Sequence, residues 1–423
     1  MRQDYLEIQK SPPVDESVIA YNIYEYTPIV GTSLNNSGGQ IRIAIETQDI
    51  FTHPSKSYLH ISGSVTKAAD GALYAVTDIL TLVNNAAAFL FDKISYEMHG
   101  QTVDFTLNPG IASTMKNIIS LGSEEQMKAG RGWWYLDQHG AGTASITDNS
   151  VYTQTHKLLI KNPTTKGNFN IAIPLSSLMG FFEDYDKVLY GAKQTLILSR
   201  GGNNNAIFKA AGADLAKVTI SSLSWCMPQV KLSDIERENV FSLVERKVPV
   251  PIKFRHWHLD QIALQQTTST TWSLQTTTAV ETPRWIIVGF QTARDNSQLK
   301  NTACFDHCKL ENVQATLNSE TYPVLPFNAD FAGGEYAKLY NTVLDYRREN
   351  YGREDLSFGM DTYKDNFPLV AIDCTKQNEK IKGGYVNIQL KMRFKAAVPA
   401  STICYALIIS DRQMLYHMAD SKI

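Results

Sequence analysis

The sequence predicts an all-β chain built from two similar antiparallel β-domains in tandem. With 423 residues the chain is longer than a domain with a single hydrophobic core usually is, so roughly two domains of about 200 residues each are expected. Several segments alternate strictly between apolar and polar residues, which is the pattern of a strand with one face in water. The two halves also share the same order of elements, which indicates a duplicated domain.

Strand alternation is clearest at residues 386–394, where five apolar residues point one way and four polar residues point the other. Residues 41–46 and 58–65 alternate in the same way. Between residues 218 and 225 the phase of the alternation slips, which predicts a β-bulge. Short strands with one exposed face and long, glycine-rich connections favour antiparallel sandwiches or barrels over a parallel sheet.

Three helices are expected among the strands. Residues 108–122 begin with Asn-Pro and end at a glycine, and residues 335–351 carry an apolar stripe that stops before another glycine. A third helix opens at Ser233 with an S-x-x-E capping box. Pro249 and Pro251 prevent that helix from continuing, so we place the domain boundary in this stretch.

The same hairpin and helix occur in both halves. Residues 91–103 are typical of a strand, a tight turn and a second strand, and residues 310–322 repeat this pattern. Each hairpin is followed by one of the amphipathic helices described above. Later, each half has a proline-marked apolar segment, at 173–175 and 367–369, and then a loop and a further strand. Four elements in the same order support the duplication.

Composition and charge exclude several classes of protein. The chain has 40 Lys+Arg and 42 Asp+Glu, a net charge of −2, which argues against a dedicated basic nucleic-acid binder. Its charged fraction of 19% is below the ~25% of a typical domain, so much of the surface is expected to be buried against other copies or partners. No apolar run approaches the ~20 residues of a membrane span, and the first 17 residues lack a signal-peptide core. We therefore expect a soluble intracellular product with no transmembrane segment.

Soft metal ligands are concentrated at one place. Cys304, His307 and Cys308 have a zinc-like spacing, but no second ligand pair follows. The favoured alternative is that the two cysteines lie in or beside a strand as small hydrophobic residues. The odd total of five cysteines indicates reduced thiols rather than a disulfide framework.

Two histidines form a second candidate metal site. His256 and His258 flank Trp257 and share one face if this segment is a strand. No carboxylate stands at ligand spacing, so the favoured alternative is a strand that buries Phe254 or Trp257 and exposes both histidines. Neither cluster predicts a cofactor, and none is expected.

Glu183, Asp184 and Asp186 are the densest group of acidic residues. They could supply the paired carboxylates of a glycosidase, but such catalysis needs two acids roughly 5–9.5 Å apart, usually from different strands. A solvated turn is the favoured alternative. The sequence has no phosphate-binding loop, no dinucleotide fingerprint, no H-E-x-x-H motif and no nucleophile elbow, so no enzyme is expected.

One aromatic segment is a candidate contact surface. Trp133 and Trp134 follow Arg131 and could stack a sugar or a base, but Trp and Tyr are enriched at protein interfaces, so a subunit contact is favoured. Trp133 and Trp134 are therefore candidate subunit-contact residues.

Several strand-and-turn segments carry a resemblance to a known family. In the second half these are PRWIIVGFQ at 283–291, FD at 305–306 leading to LNSETYP at 317–323, and VAIDC at 370–374. In the first half they are LVNN at 82–85 and FD at 91–92. With these segments the chain resembles the double jelly-roll major capsid proteins of the Polinton/Maverick and adintovirus-like lineage.

The resemblance implies two tandem eight-stranded antiparallel jelly rolls with short inserted helices. Residues 1–35 would form an N-terminal arm, and residues 36–232 the first jelly roll. The arm would include the tyrosine-rich segment 21–26 and run to neighbouring subunits, which makes Tyr21, Tyr24 and Tyr26 further candidate subunit-contact residues. Residues 233–252 would form a linker helix with a proline-rich connection, and residues 253–423 the second jelly roll with a C-terminal tail.

The resemblance also implies a structural function. The chain would form a homotrimer of pseudo-hexagonal outline and self-assemble into an icosahedral shell around double-stranded DNA, in a virion assembled inside the host cell. Its partners would be neighbouring capsomers and penton or minor capsid proteins, with at most indirect contact with the genome. The alternative is a carbohydrate-binding or carbohydrate-active protein of two jelly-roll domains, using Trp133 and Trp134 with Glu183 or Asp186.

Overall fold

The structure is a computed structural model that describes residues 17–47, 49–137, 146–148, 150–160, 167–274, 283–318, 320–376 and 387–418. The strands of these residues fall into two groups, one on each side of the connection near residue 240.

Twelve strands are described in the first half. They are β1 (Val18–Tyr26), β2 (Gln40–Ile45), β3 (Phe51–Thr52), β4 (Tyr58–Lys67), β5 (Leu80–Leu82), β6 (Phe91–Met98), β7 (Gln101–Leu107), β8 (Asn168–Pro174), β9 (Leu189–Tyr190), β10 (Gln194–Arg200), β11 (Ile207–Lys209) and β12 (Ala216–Leu232). The second half has β13 (Val250–Ala263), β14 (Ser269–Leu274), β15 (Pro283–Thr292), β16 (Leu310–Leu317), β17 (Glu320–Tyr322), β18 (Val370–Asp373), β19 (Ile388–Phe394) and β20 (Thr402–Tyr416).

Short helices connect the strands. They are α1 (Ala86–Phe89), α2 (Pro109–Ser120), α3 (Ser123–Ala129), α4 (Ser150–Leu159), α5 (Gly180–Asp184), α6 (Asp234–Glu245), α7 (Ala337–Tyr351) and α8 (Met360–Asn366). Single 3-10 turns lie at Pro54–Lys56, Gly130–Gly132, Ile146–Asp148, Leu175–Ser177 and Asn204–Ala206.

The second half is a sandwich of two antiparallel four-stranded sheets, with strand orders β13-β20-β15-β18 and β14-β19-β16-β17. Consecutive strands lie in opposite sheets, except for the hairpin β16–β17, and this is the jelly-roll arrangement. Residues facing the interior are apolar, as in β19, where every second residue from Ile388 to Phe394 is buried. The predicted fold class is confirmed here strand by strand.

The first half repeats this arrangement. One sheet contains β8, β4, β12 and β1 side by side, with the short β3 and β9 added, and the other has the order β2-β10-β6-β7. Trp225 and Cys226 of β12 pair with β4 on one side and with β1 on the other. Thus β1 occupies the position in the first domain that β13 occupies in the second, and β7 corresponds to β17. The predicted β-bulge is confirmed between Ile220 and Ser222.

The three predicted helices are also confirmed. α2 and α7 follow the corresponding strands β7 and β17, and α7 ends at Gly352, whose φ of 66° is left-handed. At the start of α6 the Ser233 side chain accepts a hydrogen bond from the Glu236 N–H, as the capping box predicts. Asn108 stands at the N-cap position of α2, but its side chain donates instead to Gln261 of β13.

The described part of the expected N-terminal arm is a strand of the first sheet. β1 pairs with β12 from Val18↔Leu232 to Tyr26↔Trp225. The strand was not evident from the sequence because side chains on both of its faces are largely exposed, so apolar and polar residues do not alternate. Residues 1–16 lie outside the described residues.

Candidate functional site: the contact between the two domains and its open counterpart

The first domain packs against strand β13 of the second domain through β7, α2 and α5. Phe181 of α5 meets Phe254 of β13 edge to face, with 5.5 Å between the ring centres. Beside them the backbone of Gly180 lies directly on the carbonyl oxygen of Arg255, and an added Cβ would be 1.6 Å from that oxygen. Only glycine allows this approach of the two backbones.

A buried lysine is neutralised at this contact. Lys116 of α2 is 3% exposed and forms an ion pair with Glu183 of α5. Its Nζ lies 4.6 Å from the ring centre of Trp257 in β13, a cation–π contact. Tyr351 of α7 donates a hydrogen bond to the same Glu183 oxygen at 2.7 Å. Burial lowers the pKa of Lys116, and the charge of Glu183 opposes that shift.

A bidentate ion pair lies next to this lysine. Arg255 of β13 donates from Nε to one oxygen of Asp184 at 2.8 Å and from Nη2 to the other at 2.5 Å. The Arg255 backbone N–H also donates to Asp184, at 2.8 Å. Three bonds to one carboxylate fix the end of α5 against β13.

The predicted histidine pair belongs to the same contact. His256 is fully buried, and its Nδ1 lies 2.7 Å from a carboxylate oxygen of Asp104 in β7. Asp104 also accepts the Phe181 N–H at 2.9 Å. His258 is bonded to Asp260 at 3.0 Å. The expectation that these histidines are exposed is wrong: both are buried, and His256 is covered by Asp104 and Phe105 of the first domain.

An arginine of α7 closes the end of α2. Arg347 is 1% exposed and donates to the carbonyl of Ser120, one of the carbonyls at the end of α2 that lack a partner within the helix. Asp355 and Glu125 neutralise Arg347 at 2.8 Å and 3.3 Å. The two domains are therefore joined by buried polar groups as well as by apolar packing.

The acidic residues of segment 183–186 take part in this contact and line a groove beside it. Glu183 and Asp184 are mostly buried and paired with cations, so the expectation of a solvated turn is wrong for both. Asp186 is more exposed and accepts hydrogen bonds from Ser55 and from Lys56 at 3.2 Å. The bond from Ser55 is the main cause that lowers the pKa of Asp186 to about 2.

The cysteine cluster is internal. The Cys304 Sγ lies 3.4 Å from Asp137, Cys308 is buried beside Thr292, and the His307 ring stacks on Phe331. Burial raises the pKa of Cys304 far above its usual value. All five cysteines are buried free thiols. Within the described ranges no three His, Cys, Asp or Glu side chains are grouped so that they could hold a metal ion.

The two tryptophans lie inside the first domain. Trp133 and Trp134 are 8% and 5% exposed, and Trp133 packs against Phe169 at 6.2 Å between ring centres. Trp134 lines a cleft of about 570 Å³ together with Arg131 and Glu183. A subunit-contact role for these tryptophans stays a prediction, as it does for Tyr26, which is half-buried and accepts a hydrogen bond from Gln229.

Strand β1 of the first domain is the equivalent of β13, and its surface is exposed. On the side away from β12, no strand in the described part of the chain pairs with β1, although its equivalent β13 is covered. Most of its exposed residues are large and apolar, namely Val18, Ile19, Tyr21, Ile23 and Tyr24; the polar Asn22 and Glu25 are exposed as well. Tyr21 and Ile23 border a groove of about 750 Å³ that extends to Asp186.

Sequence reasoning did not single out Lys116 or Asp104, and it did not foresee that Arg347 reaches the first domain. A single charged residue in the apolar stripe of α2 was the available signal for Lys116, because a buried charge requires a partner elsewhere in the fold. Asp104 and Arg347 gave no comparable signal, because the groups they meet in the other domain, His256 and the Ser120 carbonyl, are 152 and 227 residues away in the sequence.

The chain belongs to the class of proteins that join two jelly rolls in one polypeptide. The family model described as the double jelly roll-like domain matches residues 80–414, most of the chain, and the chain is therefore a member of that family. A comparison with curated proteins found no match. No described helix has the length and apolar character that a membrane crossing requires.

Solved structures share the fold along nearly the whole chain. The faustovirus major capsid protein is 10% identical with a TM-score of 0.59, and the match covers 97% of this chain and 92% of that protein. The mavirus major capsid protein is 12% identical with a TM-score of 0.58, covering 98% and 92%. A chain of the Sputnik virophage is 10% identical with a TM-score of 0.59, covering 99% and 91%.

Proposed function

We propose that this chain is the major capsid subunit of an icosahedral double-stranded DNA virus or virus-like element. The observation that carries the proposal is that buried contacts to β13 hold two equivalent jelly rolls side by side. The same two-domain fold in the capsid proteins of faustovirus and mavirus, over nearly their whole lengths, supports it.

The proposed activity is self-assembly. Each chain is a block of two similar domains, so three chains around one axis present six similar domains and a pseudo-hexagonal outline. Such trimers pack edge to edge into a closed shell, with penton and minor capsid proteins as further partners. The net charge of −2 supports at most indirect contact with the genome. The subunit would be part of a virion assembled inside the host cell.

Carbohydrate binding is the second candidate. The cleft that brings Trp134, Arg131 and Glu183 together favours it, since an aromatic ring beside polar groups suits a sugar. Within that cleft Glu183 is already bound to Lys116 and Tyr351, which removes it from the role of a free catalytic acid. We therefore rank the capsid function first.

Light scattering after gel filtration tests the proposal. A stable mass of three times the 47.3 kDa chain, together with closed shells in negative-stain images of concentrated protein, supports the capsid function. A monomer at all concentrations that binds immobilised glycans supports the carbohydrate function instead.

A further inference from the structure

We propose that the exposed strand β1 is the docking surface for the second jelly roll of another copy of this chain, which binds through the loop that follows its β17. This inference rests on the proposed capsid function and names the surfaces that join its trimer.

The first argument comes from the duplication. Strands β1 and β13 occupy equivalent positions, each hydrogen-bonded to the last long strand of its own domain. β13 is covered within the chain by the first domain, through β7 and the segments beside it. Among the described residues, no element of the second domain covers β1 in this way. A second domain placed against β1 would repeat the contact that the chain already contains.

The second argument identifies the surface that would make this contact. α5, β7 and α2 cover β13, and the elements of the second domain that correspond to β7 and α2 are β17 and α7. The loop that joins β17 to α7 therefore lies in the equivalent of the covering surface. Directly after β17 the loop 323–326 carries Val324 and Leu325, which are 82% and 78% exposed. Large apolar side chains are rarely so accessible without a partner when they form a patch. The duplication therefore points to two specific surfaces, and each of them presents exposed apolar residues.

The two surfaces fit each other in chemistry. On β1, Tyr21 and Ile23 lie on one face, with exposures of 46% and 55%. The groove beside Tyr21 and Ile23 is lined further by Tyr58, Phe182 and Pro228, which offers space for an aliphatic side chain such as Leu325. Its polar rim includes Asp186 and Lys56, so the centre is apolar and the edge is charged, as in protein interfaces.

The contact is head to tail, because the surface on one copy differs from the surface on the next. Head-to-tail contacts form a closed ring when the rotation per copy divides a full turn, and otherwise form an open filament. If the contact between copies repeats the contact within the chain, six domains follow one another with equal steps. Three copies then close the ring.

Cysteine cross-linking tests this assignment. The five native thiols are buried, so the unaltered protein is the background control. We would introduce Ile23→Cys, Leu325→Cys and both together, and treat each protein with a flexible bis-maleimide. The double variant is expected to give covalent dimers and trimers and no larger product. Each single variant is expected to give none, and an equimolar mixture of the two to give dimers.

Three results would overturn the assignment. The first is cross-linking of Ile23→Cys alone, which would show β1 pairing with β1 about a twofold axis. The second is a ladder of the double variant beyond the trimer, which would show an open chain. The third is the absence of cross-links from the double variant while light scattering still gives a trimer. That result would refute this interface without contradicting the capsid function. A wild-type protein that is monomeric and forms no shells overturns the capsid function itself.

A charge substitution provides a second measurement. Leu325→Asp is expected to weaken trimerisation at least tenfold, with an unchanged circular dichroism spectrum because the side chain is exposed. Leu215→Asp is the matched control, since Leu215 is also exposed but precedes the end of β12 that is far from β1. Equal trimer dissociation constants for the two variants would contradict the assignment.

Discussion

Substituting Glu183 with glutamine removes the carboxylate that neutralises the buried Lys116. The ammonium group would then lie between α2, α5 and the ring of Trp257 without a counter-ion. Breaking a buried pair by removing one partner typically costs about 3–5 kcal/mol of stability, because the remaining charge stays buried. We expect a loss in this range for Glu183→Gln at pH 7.

The ability of lysine to release its proton limits the size of this loss. Deprotonating an ordinary lysine of pKa about 10.4 costs about 4.6 kcal/mol at pH 7 and about 1.9 kcal/mol at pH 9. The variant can adopt the neutral amine whenever that is cheaper than burying the charge. The destabilisation by Glu183→Gln should therefore decrease as the pH rises, to about 2 kcal/mol at pH 9.

Urea unfolding at pH 7 and at pH 9 measures both effects. Glu46→Gln is the control, because Glu46 forms an exposed ion pair with Lys193 and should change stability by less than about 0.5 kcal/mol. The double variant Lys116→Met with Glu183→Gln should regain most of the lost stability, since no charge remains buried. A loss below about 1 kcal/mol at pH 7, or a larger loss at pH 9 than at pH 7, would refute this reasoning.

Four further predictions concern stability and accessibility. Gly180→Ala should destabilise the protein by about 3 kcal/mol in urea, because its Cβ would collide with the carbonyl of Arg255, whereas Gly202→Ala, in open space, should be near neutral. Asp186 has a pKa of about 2, so its ionised carboxylate stabilises the fold above about pH 4, and this contribution is lost as the pH falls towards 2. Asp186→Asn should remove this pH-dependent contribution, about 1 kcal/mol after solvent screening, from the acid-unfolding profile. Trp134→Ala should cost about 3–5 kcal/mol in thermal or urea unfolding, since Trp134 is buried within its own domain. A thiol reagent should label none of the five cysteines in the native protein and all five in denaturant; rapid native labelling would contradict their burial.

The elements that could be predicted from sequence are those with local signals. The alternation in β19, the phase slip in β12 and the capping box of α6 all arise from residues close together in the chain. The duplication of hairpin and helix was visible for the same reason. These signals were enough for the fold class.

The features that could not be predicted depend on residues far apart in the sequence. β1 carries no alternation, because both faces of the strand are largely exposed in a single chain. The sequence predicted that the histidines of β13 are exposed, because the carboxylate that contacts His256 is 152 residues away, in the other domain. Trp133 and Trp134 were expected at a subunit contact, and their burial within the first domain follows from the packing of a loop against β8, which no local pattern encodes.

Class averages of the purified protein by negative-stain electron microscopy test the central claim most directly. If two equivalent domains in one chain allow threefold association to imitate sixfold packing, views down the axis will show a closed ring of six lobes with threefold symmetry. Particles of two lobes, or rings with an odd number of lobes, would contradict the account.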